Sequence, residues 1–145
     1  MLGGLDALAL GALVFVTATL LVINVWSVVD TRMALTAAAR EAVRDLVDVA
    51  DADIAVAQDR AAARALETLA QHGRPTAVLD QVSVAITAPS LTLRCSPITV
   101  AVTAPARMIG LPFVGGFTDG HLDVTVAHTE ILDSLRSGLE GLACG

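Results

Sequence analysis

Between Ala7 and Val29 the chain carries no charged residue; ALALGALVFVTATLLVINVWSVV is interrupted only by Thr17, Thr19, Asn24 and Ser27. As a helix this run reaches about 35 Å, enough to cross a hydrocarbon core of about 30 Å. It reads as a transmembrane helix. A cleaved secretory signal is the rival, but its apolar region normally covers about 7–15 residues behind a positive stretch. MLGGLD holds no Lys or Arg, and the apolar run is longer. Thr36-Ala37-Ala38-Ala39 imitates a small-residue cleavage site, yet it falls inside a continuing helical pattern. Trp26, near the far end, suits either the interfacial aromatic belt or a large lipid-facing side chain. Gly3, Ala7 and Gly11, at four-residue intervals, form a small-residue stripe by which a membrane helix packs closely against another helix; the alternative is that small residues are merely common here.

The helical pattern does not stop at Asp30. No Gly or Pro interrupts the chain as far as His72, and Leu35, Ala39, Ala42, Leu46 and Val49 recur at three- and four-residue intervals, with Arg40, Arg44, Asp48 and Asp51 off that stripe. This predicts an amphipathic continuation of the helix. Glu41 with Arg44, Arg44 with Asp48, and Arg64 with Glu67 have the spacing of weak surface pairs on a solvated face. Gly73 then stands at a helix C-cap and Pro75 prevents resumption. Unbroken from about residue 6 to 72, such a helix would be about 100 Å long, too long for a 145-residue globule to enclose. It therefore needs partners: lipid for its first third, and its own C-terminal domain or another protein for the rest.

After Pro75 the period changes from 3.6 to 2. Val82, Val84 and Ile86 alternate with polar or small residues, as do Leu91 and Leu93, then Ile98, Val100 and Val102, and finally Leu122, Val124 and Val126. Four short strands are expected. Pro89-Ser90 and Ser96-Pro97 separate the first three, and Pro105 to Gly120 reads as a long loop before the last. So few strands must cover one face with something apolar, and the second half of the long helix is the nearest candidate. The fold class is α+β, a long N-terminal helix, transmembrane and then amphipathic, packed on a small antiparallel sheet. The expected division is residues 1–29 as the membrane segment, 30–73 as the amphipathic continuation, and 74–145 as the β domain.

Chemistry is sparse. Nine basic residues, all Arg, stand against fifteen acids for a formal charge of −6, with no basic block, so nucleic acid is not an expected partner. There is no Ser, His and acid constellation and no Gly-rich phosphate loop. Asp51 and Asp53 read as a solvated helix face, and His128 with Glu130 as a surface pair. Neither an enzyme nor a cofactor-binding protein is expected. His72, His121 and His128 do not stand at ligand spacing to either cysteine, so no metal site is expected. Cys95 and Cys144 are read as a disulfide closing a loop of about 50 residues, worth about 4 kcal/mol and tethering the Gly-rich tail; two unpaired buried thiols are the alternative. A disulfide would place residues 30 to 145 on the oxidising side of a membrane. The positive-inside bias points the other way, because Arg32, Arg40 and Arg44 follow the span and no Lys or Arg precedes it.

The order of parts resembles type IV pilin-like proteins. The stretches LVINVWSVVDTRMALTAAAREAVRDLV, RCSPITVAVTAP and LDSLRSGLEGLACG are similar to the TadE-like minor pilins of tight-adherence pilus systems. That resemblance covers nearly the whole chain, with Ala38 to Ala42 and Arg136-Ser137-Gly138 as its most suggestive segments. It implies a pilin-like fold and a single-pass subunit whose N-terminus faces the cytoplasm and whose β domain is extracytoplasmic. Such a subunit serves pilus assembly or adhesion, and is drawn from the cell membrane into a filament or its tip. Its implied partners are membrane lipid, other pilin-like subunits through the N-terminal helix, and the assembly machinery.

In one respect the chain departs from the family. A prepilin leader shows a basic stretch, a Gly at the cut and an acid five residues beyond, whereas Gly3 and Gly4 follow no basic residue. Asp6 is fifth only when the count starts at Leu2. Either Met1 stands where a processed terminus begins, or the protein is not processed. The resemblance implies that Asp6 pairs with the amino terminus of a neighbouring subunit during insertion. The other reading of Asp6 is a helix cap accepting from the N–H groups of residues 8 or 9. The alternative function is a single-pass anchored accessory protein that binds a partner and never enters a filament.

Overall fold

The computed structural model describes residues 3–48, 53–110, 120–132 and Gly141, with side chains from Ala7 onward. Helix α1, Gly3–Asp48, has 46 residues and is about 69 Å long. It has two unlike parts. From Ala7 to Ile23 no residue is buried; beyond Asn24 one face buries Ala34, Leu35, Ala38, Ala39, Ala42, Val43 and Leu46, which includes the stripe read from the sequence except Val49, a residue outside those described. That face lies on a small antiparallel sheet, so the expected α+β layout of a long apolar N-terminal helix on a sheet is the one observed.

The second part of the helical region differs from the expectation. Rather than one rod to residue 72, α1 ends at Asp48 and a second helix, α2, spans Ile54–Gln71. Asp53, read as part of a solvated face, is the N-cap of α2. Its backbone is extended (φ −95, ψ 117), its Oδ1 accepts from the Ala55 N–H at 2.8 Å, and its carbonyl accepts from the Ala57 N–H at 3.0 Å. Asp51 lies outside the described residues. Helix α2 runs antiparallel to α1, as three ion pairs record: Asp45 with Arg60 at 3.8 Å, Glu41 with Arg64 at 3.8 Å, and Asp30 with Arg74 at 2.7 Å.

Folding back is what the small side chains permit. Ala57, Ala61 and Ala65, at four-residue spacing, join the Ala-rich face of α1 in one buried cluster, which an extended rod would leave in water. The Arg64–Glu67 pair forms as expected, at 2.7 Å, and this hydrogen bond to a carboxylate holds the Arg64 guanidinium above its ordinary pKa. Because Arg64 also reaches Glu41, the pair bridges two helices rather than lying along one. The helix stops where Gly73 requires it. Gly73 has φ +73, its N–H donates to the Ala70 carbonyl at 2.9 Å, and the Arg74 N–H donates to that of Leu69 at 3.2 Å. Pro75 then caps one further turn, α3, Thr76–Leu79.

Among the described residues three strands follow rather than the four expected: β1 Ser83–Thr87, β2 Pro97–Arg107 and β3 His121–Ile131, in the order β1-β2-β3. The Leu91 to Leu93 stretch, which alternates like a strand, is bent instead. The Ser90 hydroxyl accepts from the Thr92 and Leu93 N–H groups at 3.2 and 3.1 Å and so closes a turn that local alternation does not register. Strand β2 also runs on past Pro105, where the sequence suggests a loop. Strand β1 covers β2 only from Thr99 to Thr103, so Pro105 pairs with Asp123 of β3 on one side and has no strand on the other. A residue lacking an N–H is tolerated there.

The alternation in β2 decides where the core sits. Ile98, Val100, Val102, Ala104 and Ala106 are buried toward the helices, while Thr99 and Thr103 on the opposite face join Thr129 and Thr125 hydroxyl to hydroxyl at 2.7 and 2.8 Å. Helix α2 is fastened to the sheet edge by Gln58, whose amide donates to the Val84 carbonyl and accepts from the Ile86 N–H at 3.3 Å. That occupies backbone groups on the open side of an edge strand.

Candidate functional site

Among the described residues nothing covers the first part of α1. Leu8, Leu10, Val14, Phe15 and Val22 are exposed, Phe15 at 73%, and α1 is long and apolar enough to cross a membrane. Its polar interruptions are of two kinds. Thr17 and Thr19 donate their hydroxyls to the Leu13 and Phe15 carbonyls, each at 2.9 Å, so both are satisfied within their own helix and suit an apolar surrounding. Asn24 and Ser27 bond elsewhere.

The Asn24 amide donates to the Ile109 carbonyl at 2.9 Å and accepts from the Ile109 N–H at 2.7 Å, and the Ser27 hydroxyl donates to the Arg107 carbonyl at 2.7 Å. Asn24 is 5% exposed and is the first buried residue of α1 counting from Ala7. The apolar run read as one span from Ala7 to Val29 is therefore shared. Residues 7 to 23 stand away from the core, and from residue 24 the helix carries the end of β2. From the sequence alone Asn24 and Ser27 read only as interruptions of the apolar run. The signal was available in Asn24, since a side-chain amide, unlike a Thr hydroxyl, has a donor and an acceptor that its own helix does not satisfy together.

Beside this junction lies a groove. A cavity of about 350 Å³ is lined by Val78, Gln81, Pro105, Arg107, Met108, Ile109 and His121, and a second of about 260 Å³, sharing Val78, Pro105 and Arg107 with it, reaches Ser27, Thr31 and Arg74. Arg74 is held by Asp30 Oδ2. Arg107 makes no ion pair with any described residue.

The residues singled out from the sequence are dispersed. Gly3, Ala7 and Gly11 all lie on α1; Ala7 is exposed, and a Cβ on Gly11 would meet nothing within 4 Å, so no part of the described chain covers that position. Helix α1 already includes Gly3, which puts the Asp6 backbone inside the first turns rather than at a cap. The N–H groups it was read as capping are thus within helical backbone. Cys95 is disulfide-bonded, and Cys144 lies outside the described residues. Cys95 has φ 63; its N–H donates to the Leu132 carbonyl at 3.2 Å, and the Leu132 N–H returns to the Ser96 carbonyl at 3.1 Å, which ties the start of β2 to the end of β3.

His128 Nε2 and Glu130 Oε1 are 3.7 Å apart, in register with Val100 and Ile98, so the pair is half-buried on the helix-facing side of β3 rather than on the open face. Among the described residues no group of three or more His, Cys, Asp or Glu is placed to hold a metal ion. The chain matches no protein-family model, no curated protein and no solved structure.

Proposed function

We propose that the protein is a membrane-inserted, minor pilin-like structural subunit of a tight-adherence pilus system, acting in pilus assembly or adhesion. The observation that carries this reading is the division of α1: its first part turns Leu8, Phe15 and Val22 outward with no partner in the described chain, while one face of its second part packs against α2 and the sheet. Lipid before assembly and the helices of neighbouring subunits afterwards are the environments that such a surface suits. The resemblance of LVINVWSVVDTRMALTAAAREAVRDLV to TadE-like proteins supports the same reading. The N-terminus then faces the cytoplasm and the β domain is extracytoplasmic, where an oxidising compartment suits a disulfide between Cys95 and Cys144. Asp6 pairs with the amino terminus of a neighbouring subunit, and Gly3, Ala7 and Gly11 give a close-packing stripe toward its helix.

The test is the mass of the mature N-terminus of protein taken from membranes, together with its presence in sheared filaments. A processed, N-methylated first residue and recovery in filaments support the reading. Met1 retained and absence from filaments overturn it, leaving a single-pass anchored accessory protein. Asp6→Asn tests the pairing: a folded, inserted protein that fails to join filaments is expected, and normal incorporation refutes the pairing. Gly11→Leu is expected to weaken association in a membrane dimerisation assay where Leu13→Ala does not, and equal effects refute the stripe.

A further inference from the structure

We infer that the groove beside the α1 junction, between Ser27 and Thr31 on one wall and Arg74, Pro105 and Arg107 on the other, holds the phosphate of an anionic lipid headgroup. The inference rests on the membrane-inserted reading of α1. Height along the helix brings the groove to the right layer. A hydrocarbon core of about 30 Å takes about twenty residues of helix, from Ala7 to Trp26, so Ser27 stands at its edge and Asp30 about 6 Å beyond it. The headgroup region on each side of a bilayer is about 5–8 Å deep. The Ser27 hydroxyl bonds the Arg107 carbonyl at 2.7 Å and Asp30 bonds Arg74 at 2.7 Å, so Arg107 is fixed at the inner edge of that layer and Arg74 within it.

Charge and shape agree with an anion that carries an apolar stem. The chain as a whole is acidic, at −6, yet two of its nine basic residues converge on this groove. Asp30, the acid beside it, already faces Arg74, while Arg107 has no ion-pair partner among the described residues. A guanidinium left in that position is matched by a phosphate, which takes its paired N–H groups two at a time. The adjoining cavity of about 350 Å³ continues past Arg107 along Met108 and Ile109, on the side of the junction nearer the apolar part of α1. A glycerol backbone and the first methylenes of a lipid follow that wall, whereas free inorganic phosphate would leave it empty.

The full chain, reconstituted in nanodiscs of phosphatidylcholine alone or mixed with phosphatidylglycerol, supplies the test. Native mass spectrometry of the released protein reads the lipid retained, and quenching of Trp26 by brominated lipid reads independently whether the junction lies at the membrane. The wild type is expected to retain phosphatidylglycerol in preference to phosphatidylcholine, and Arg107→Gln to reduce that retention about tenfold, the loss of one charge-assisted contact. Arg32→Gln removes the same charge from an exposed position outside the groove and is expected to change nothing. Equal retention of the two lipids, or equal loss in the Arg32 and Arg107 variants, overturns the headgroup site while leaving the membrane reading intact if Trp26 remains quenched. Trp26 unquenched overturns the membrane reading and the site with it. Inorganic phosphate that displaces phosphatidylglycerol at comparable concentration overturns the assignment to a lipid.

Discussion

Replacing Asn24 by Leu removes an amide that makes two hydrogen bonds to one residue, Ile109, while keeping the side-chain size and adding to the apolar character of α1. Each neutral bond contributes about 1 kcal/mol net, and an orphaned buried backbone group costs about 1–3 kcal/mol more. Ile109 is 48% exposed, so no orphan cost is added and the two lost bonds set the effect. The expected effect is about 2 kcal/mol on the local opening of the segment after β2, or roughly thirtyfold. Amide hydrogen exchange at Ile109 in the micelle-bound full chain is the appropriate assay, since it reads local opening. Exchange should accelerate by that factor in Asn24→Leu, while Val100 in the sheet centre stays protected. Thr17→Val, which removes a bond internal to the helix, should leave Ile109 unchanged. An Ile109 amide that exchanges at the wild-type rate in Asn24→Leu refutes the argument that this amide fastens the domain to the helix.

Ala61→Leu inserts a larger side chain into the closed α1–α2 interface, where Ala61 is 0% exposed, and is expected to cost about 1–3 kcal/mol in chemical denaturation; an unchanged midpoint would contradict the close approach of the two helices. Gly73→Val forces a β-branched residue to φ +73 and should lower thermal stability by about 1–2 kcal/mol, although nothing lies within 4 Å of the added Cβ, so a neutral result would show that backbone conformation is not the constraint. Cys95→Ser should cost about 2–5 kcal/mol, and peptide mapping without reduction should recover Cys95 joined to Cys144; any other partner, or two free thiols, removes the proposed tether.

The parts of the fold legible in the sequence are those that a single period records. The apolar run, the Leu35 to Leu46 stripe, the Gly73 stop and the alternation through Ile98, Val100 and Val102 each repeat a local rule, and each lies where that rule puts it. What escaped was decided by long-range partners or by one side chain. The start of α2 at Ile54 depends on Asp53 as a cap, yet an Asp among alanines has the same pattern inside a solvated helix. Only the antiparallel pairing of Arg60 with Asp45 and Arg64 with Glu41 distinguishes the two. Leu91 to Leu93 alternates correctly, but the Ser90 hydroxyl captures its backbone N–H groups. In the candidate site, the exposed apolar half of α1 was readable. The junction was not, because Arg107 is 80 residues from Ser27 and no local pattern links them.

The absence of any loop between the sheet's anchorage and the apolar half of α1 has a mechanical consequence. Force applied to the β domain passes through Asn24, Ser27 and the buried face of one continuous helix directly to Phe15 and Leu8, with no linker to take up slack. A rotation of the domain is therefore a rotation of the helix about its own axis, and a displacement along that axis moves every residue from 7 to 23 by the same distance. The domain and the helix turn as one body, so the orientation of the sheet fixes the azimuth of every residue from 7 to 23.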